Sequence, residues 1–429
     1  VEKPIVFILF IGMILVGLGC GPDFESQSVD KTESLTGPSQ QDSDDLSGNS
    51  TQTVSPESIP TVLSTATPEM VQEGTPIPSF LQIVTVENAW MLAPLAVWND
   101  GLTGSNWTSG MIRYPKLVLS GDGGYLYAVD RIFSDGTVEK WDLQNGNIEA
   151  QFGLIEEFLG YVDISSNGKM LASGEEYAVR FWNMEEDPRL VSEFEVLQAF
   201  SGASIQALEF DSTNLMLALG FQDGSVSIYT SRGWSGYRFL TSHHARVANL
   251  IFSSDSRWLI SAAVNGSIFA WPAPEEENRY GEITPMIINE MGEPVESMVF
   301  SMDDERLAVQ AGRQLFMYDM QTRQRIWAAD LPEIRLFDLP EEEFFPEFNY
   351  LHVVSDGRDS LTFSPDGSLL ACGNMDGDIL LMDAGSGEVL STILAHRGSV
   401  ISLLFDLDGT LLISSGYDGT IRLWGIPEK

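Results

Sequence analysis

Val400 to Trp424 reads VISLLFDLDGTLLISSGYDGTIRLW, three short apolar runs separated by two Asp-Gly turns. Asp-Gly between apolar runs signals a hairpin, because Gly accepts the positive φ that tight turns demand. Weaker copies recur upstream. Their third runs are anchored at Trp141, Trp182, Tyr229, Trp271, Tyr318, Met382 and Trp424, with spacings of 41, 47, 42, 47, 64 and 42 residues. A small sheet repeated at that period has two apolar faces and cannot hide them alone. Stacking the sheets radially lets each cover its neighbour, so the pattern predicts an all-β, seven-bladed propeller over residues 80–429.

The motifs inside the copies carry a resemblance. A Trp-Asp pair stands at Trp141-Asp142 and degenerates to Trp182-Asn183, Tyr318-Asp319 and Met382-Asp383. The turn before the third strand is Asp135-Gly136, Asp223-Gly224, Asn265-Gly266, Asp376-Gly377 and Asp418-Gly419. The first hairpin turn is Ser364-Pro365-Asp366-Gly367, with looser versions at Ser166-Asn167-Gly168 and Ser253-Ser254-Asp255. From Phe80 to Pro427 the chain resembles the WD40-repeat family. The resemblance implies a buried hydrogen-bonded set of His, Ser or Thr, Asp and Trp. In the last blade the matching residues are His396, Ser414, Asp418 and Trp424. In the fourth they are His243, Ser261, Asn265 and Trp271, with Asn in place of the charge. In the sixth, Cys372 takes the Ser position. The set imitates a Ser-His-Asp triad, but there is no Gly-x-Ser-x-Gly elbow and the spacing follows the repeat, so a structural role is expected.

Counting strands singles out the last blade. After Trp424 only Gly-Ile-Pro-Glu-Lys follows, too short for a fourth strand and broken by Pro427. Leu92 to Trp98, LAPLAVW, has no blade of its own and is expected to supply that outer strand, with a short helix or turn before it.

Residues 1–19 have the form of a signal peptide: one Lys, then an apolar run from Ile5 to Gly19, short for a bilayer span. Ending in Gly19-Cys20, the segment resembles the lipobox of bacterial lipoproteins, which implies lipidation of Cys20. Gly17 stands where that box usually has Leu, and a retained membrane anchor or plain cleavage are the alternatives. Residues 20–79 are rich in Ser, Thr, Pro and acids and read as a disordered linker. The expected location is the extracytoplasmic face of a cell membrane.

The formal net charge of −39 argues against nucleic acid or anionic lipid headgroups as partners, leaving a lipid anchor as the only membrane contact. The four histidines are scattered, and no repeated metal-ligand pattern or Walker loop is present, so no cofactor or metal is expected. The expectation is a monomeric interaction or assembly scaffold for a protein or peptide, not an enzyme. The alternatives are a propeller lactonase, a quinone-dependent dehydrogenase or an extracytoplasmic ligand sensor. By the resemblance, the residue before each turn Asp faces the binding surface, which nominates Ser134, Gln222, Met375 and Tyr417. The 64-residue gap contains LPEEEFFPEFNYLH, where Phe344, Phe345, Phe348 and Tyr350 interleave with acids. They would anchor a partner or tuck the loop onto the propeller. Trp107, in Asn99–Arg113, is a further candidate, or a cover for the channel mouth.

Overall fold

The structure, a computed structural model, describes residues 77–78, 80–98, 116–129, 137–153, 161–175, 178–184, 189–195, 204–231, 237–241, 243–273, 286–290, 292–332 and 359–428. The expected signal segment and Cys20 lie outside these residues, as does the linker apart from residues 77–78. Among the described residues there are seven antiparallel sheets. Blades 1 to 6 occupy residues 116–153, 161–195, 205–241, 247–290, 295–330 and 361–394, each with four strands in chain order. Blade 7 is built on Val400–Phe405, Leu411–Gly416 and Ile421–Pro427.

Burial of both sheet faces explains the ring. Seven apolar clusters fill the seven junctions, each drawn from two adjacent blades. The first strand of each blade is innermost. Those of blades 2 to 7, and then blade 1, lie against one another in succession. The Lys116–Asp163 ion pair joins blade 1 to blade 2.

The turn glycines are required by more than their dihedral. Gly377 has φ +89°, and a Cβ there would sit 2.1 Å from the His396 carbonyl oxygen. Gly224, at φ +86°, would meet the His243 carbonyl oxygen at 2.4 Å. Each glycine therefore lets the connection into the next blade lie directly on the turn.

Blade 7 departs from the others. Its third strand does not stop at Trp424 but runs through Gly425 and Ile426 to Pro427. Ala93–Trp98 pairs with it antiparallel, from Ala93 opposite Gly425 to Trp98 opposite Ile421. Leu81–Gln82 pairs with Pro427 and Ile426 at the far end of the same edge. Pro427 is tolerated because it is the last residue of the strand. Between the two added strands, Ala89–Met91 forms one 3-10 turn. Trp98 is fully buried and stacks on Trp141 of blade 1, with ring centroids 4.8 Å apart and planes within 4°.

Candidate functional site

In blade 7 the connection from blade 6 carries His396 into the sheet. Trp424 Nε1 donates to Ser414 Oγ at 3.0 Å. Ser414 Oγ lies 2.7 Å from His396 Nε2, and His396 Nδ1 lies 3.0 Å from Asp418 Oδ1. One assignment satisfies every group: the indole donates to the hydroxyl, the hydroxyl to Nε2, and Nδ1–H to the carboxylate. Asp418 also accepts from the Arg397 backbone N–H at 3.0 Å and the Thr420 hydroxyl at 2.7 Å, and Arg422 stands 3.6 Å away. Burial pushes the His396 pKa down against the opposing pull of Asp418, and the net direction is down, toward the neutral ring. Burial alone would raise Asp418, but the hydrogen bond and charge of His396, with the Arg397 and Thr420 donors, hold its carboxyl well below the usual range.

Blade 4 builds the same chain without charge. Trp271 Nε1 donates to Ser261 Oγ at 2.7 Å, and Ser261 Oγ lies 2.7 Å from His243 Nε2. Nδ1, however, is not on Asn265. It meets Ser267 Oγ at 2.7 Å, and Ser267 in turn donates to Asn265 Oδ1 at 2.8 Å. Ser267 is thus the intermediary that the expected four-residue set lacked. With no carboxylate to oppose it, burial lowers the His243 pKa to about 4, and the neighbouring His244 adds to the effect. The sixth blade has no such chain at Cys372, whose buried thiol contacts the Gln310 side chain at 3.7 Å.

These arrangements decide how the hydroxyls behave. Ser414 and Ser261 are each 0% exposed. Each accepts from a tryptophan and meets a histidine, and its complete burial leaves no room for a substrate carbonyl to approach. The residues that imitate a triad pin the connection between two blades instead. Ser267 and Thr420 were missed, although both follow an Asx-Gly turn directly, and Ser225 bonds to Asp223 in the same way at 2.6 Å. Asx-Gly-Ser/Thr is a legible signal: the hydroxyl closes the turn and stands beside any histidine that arrives.

Of the remaining candidates, Gln222, Met375 and Tyr417 lie at one end of the ring. The described turns between second and third strands emerge there, and so do the described starts of the first strands. Gln222 is exposed, while Met375 and Tyr417 are half-buried. The Tyr417 N–H donates to the Ser399 carbonyl at 2.8 Å, and the Ser399 hydroxyl donates to the Met375 carbonyl at 3.2 Å, coupling blades 6 and 7. At the same end Tyr161 OH and Arg246 Nη1 both lie 3.1 Å from Gln206 Oε1, joining blades 2, 3 and 4. Nothing in the repeat motif marks these three residues. Ser134, Trp107, Phe344, Phe345, Phe348 and Tyr350 lie outside the described residues. Among the described residues no group of three or more His, Cys, Asp or Glu could hold a metal ion. Nor is any described helix long and apolar enough to cross a membrane.

The family profile described as "WD domain, G-beta repeat" matches residues 235–272, 352–383 and 387–425. The first and last of these stretches contain the two complete histidine chains. Human WD repeat-containing protein 36 is 31% identical over 145 residues, covering 33% of this chain and 16% of the relative. Actin-interacting protein 1 of Drosophila melanogaster is 26% identical over 216 residues, covering 44% of this chain and 35% of the relative. The chain therefore spans only a minor part of either relative's length.

Proposed function

We propose that this chain, which carries WD40 repeats on a seven-bladed β-propeller, is a scaffold that binds a protein or peptide at the end of the ring bearing Gln222, Met375 and Tyr417. One observation carries the reading. The histidine chains of blades 4 and 7 are consumed internally, and this leaves exposed Gln222 and half-buried Met375 and Tyr417 as the candidate positions open to a partner. Tyr417 is the central contact of the proposed site, since its ring offers apolar area and its hydroxyl a polar handle. The WD-repeat relatives are consistent with a binding role, although fold alone does not fix function.

The finer part of the reading is that the ring is exported and anchored as a monomer through a lipid on Cys20. It rests on the apolar run ending at Gly19-Cys20 and on the acidic, Ser/Thr/Pro-rich linker that follows. Such a linker of about 60 residues would have a coil span of roughly 40 Å, letting the ring stand off from a surface. We further propose that residues 81–98 close the ring by completing blade 7.

The experiment is recovery of cross-linked complexes from membranes carrying the full chain. A stoichiometric partner that is lost in Tyr417→Ala, with unfolding behaviour unchanged, supports the scaffold. Turnover of a lactone or alcohol with no partner recovered would sink it. Cys20→Ala should release a processed chain from the membrane fraction. Continued membrane association of that processed variant would show that the lipid is not the anchor.

A further inference from the structure

Four charged side chains from four blades meet inside the ring. Lys116, at the start of blade 1's first strand, places Nζ 3.0 Å from Asp163, 3.5 Å from Asp359 and 3.9 Å from Glu209. Asp163 belongs to the first strand of blade 2, Glu209 to that of blade 3, and Asp359 precedes that of blade 6. With every group ionised, three carboxylates face one ammonium. They are not held equally. Asp163 is buried and also accepts from the Phe210 backbone N–H at 2.8 Å. The Asp359 side chain is 45% exposed, so water solvates it. Glu209 is 27% exposed, sits beside the Asp163 charge and reaches the ammonium only at 3.9 Å.

Among the described residues, the inner positions that follow add no second cation to the ion pairs of this cluster. Asn249 of blade 4 and Ser402 of blade 7 are neutral; Asn249 donates to the Val295 carbonyl, and Ser402 accepts from the Leu117 N–H. Tyr161 of blade 2 and Arg246, just before blade 4, are both directed to Gln206. Glu296 of blade 5, itself buried, adds a further carboxylate. Burial, then the Asp163 charge, raises the Glu209 pKa well above the usual carboxylate range. Lys116 opposes the rise and Asp359 adds to it.

We propose that the Lys116–Asp163–Glu209–Asp359 cluster is a proton-responsive brace, in which a proton bound at Glu209 tightens the joint between blades 1, 2, 3 and 6. The sign follows from linkage. A carboxyl whose pKa is raised on folding adds stability that is fully present below its unfolded pKa and is lost as pH rises through the folded value.

The test compares the full chain with Glu209→Gln in denaturant unfolding between about pH 8 and pH 4. At pH 8 the variant should favour the folded state by about tenfold over wild type, because the amide removes an unfavourable charge. The advantage should shrink to nothing near pH 4, where wild type has taken up its proton. Glu209→Gln less stable than wild type at pH 8, or a difference that does not change with pH, overturns the proposal. Lys116→Met should lose more than about tenfold at pH 8 and recover part of it on acidification. A Lys116→Met chain as stable as wild type at pH 8 also overturns it. Should that variant fail to fold, Glu209→Gln decides alone.

Discussion

In blade 7 the chain of bonds from Trp424 through Ser414 and His396 ends on a carboxylate, whereas in blade 4 the chain from Trp271 ends on an amide by way of Ser267. The two blades differ in a second way. The fourth strand of blade 4, Met286–Glu290, follows its third in sequence, while the outer strand of blade 7 is Ala93–Trp98, from the other end of the domain. The neutral blade is local and self-sufficient. The charged blade is assembled from both ends and is also where Asp418 gathers a histidine, a threonine, an arginine and a backbone amide. Charge in the hydrogen-bonded set thus coincides with the blade at which we propose the ring is closed.

Removing residues 80–98 should produce the largest effect. Val84, Ala89 and Leu92 pack between blades 6 and 7, and Leu95, Ala96 and Trp98 between blades 7 and 1. Each large apolar side chain that is fully buried stabilises by about 1.5–3 kcal/mol, so two junctions fail together. The truncated chain should lose its single cooperative melting transition in calorimetry. An unchanged transition would break the contrast between an assembled blade 7 and a local blade 4.

The tryptophans come next. Trp271 is 1% exposed and Trp424 3%, and each donates to a buried serine. Trp424→Ala and Trp271→Ala should each destabilise by about 3–5 kcal/mol in urea unfolding. If one costs much less than the other, the two chains are not equivalent parts of the core.

The contrast was only partly legible in the sequence. The Asp-Gly and Asn-Gly turns and the spacing of Trp271 and Trp424 marked the blades, because turn dihedrals and apolar faces are properties of a few neighbouring residues. The repeat also placed both histidines beside their serines. It failed at Asn265: aligned with Asp418, it stood for the direct partner of His243, yet Ser267 intervenes. Which of two nearby acceptors a ring nitrogen chooses depends on fractions of an ångström that no alignment records. Lys116 with Asp163, Glu209 and Asp359 was invisible for a different reason. Its members lie up to hundreds of residues apart and meet only because blades 1 and 6 stand near each other in a closed ring. The Tyr161–Gln206–Arg246 contact across three blades is another example.

A pH series separates the histidines. The unfolded chain protonates His243 near its ordinary pKa of about 6.5, while the buried ring resists until about pH 4. Between those values the unfolded state binds more protons, so stability falls as pH falls, by about 3 kcal/mol across the window. His243→Gln should flatten that part of the profile. A slope that survives the substitution would assign the loss to other groups.

The smallest effect is the most direct exchange between the blades. Asp418→Asn gives blade 7 the amide of blade 4. Its oxygen can still accept from His396, but its NH₂ must then face the Arg397 N–H, which now donates to Asp418 Oδ2. Leaving that donor unmatched should cost about 1–3 kcal/mol at neutral pH. Because the folded state depresses the Asp418 pKa, the carboxylate's contribution is present above its unfolded pKa and is lost as pH falls below it. The deficit of Asp418→Asn should therefore narrow on acidification as wild type loses the same advantage. The reverse exchange, Asn265→Asp, brings a negative charge beside Ser267 and His243. It should raise the His243 pKa toward its ordinary value and reduce the acid-side loss just described. If both exchanges leave the pH profiles unchanged, hydrogen bonding alone distinguishes the two chains and the charge on Asp418 is incidental to closing the ring.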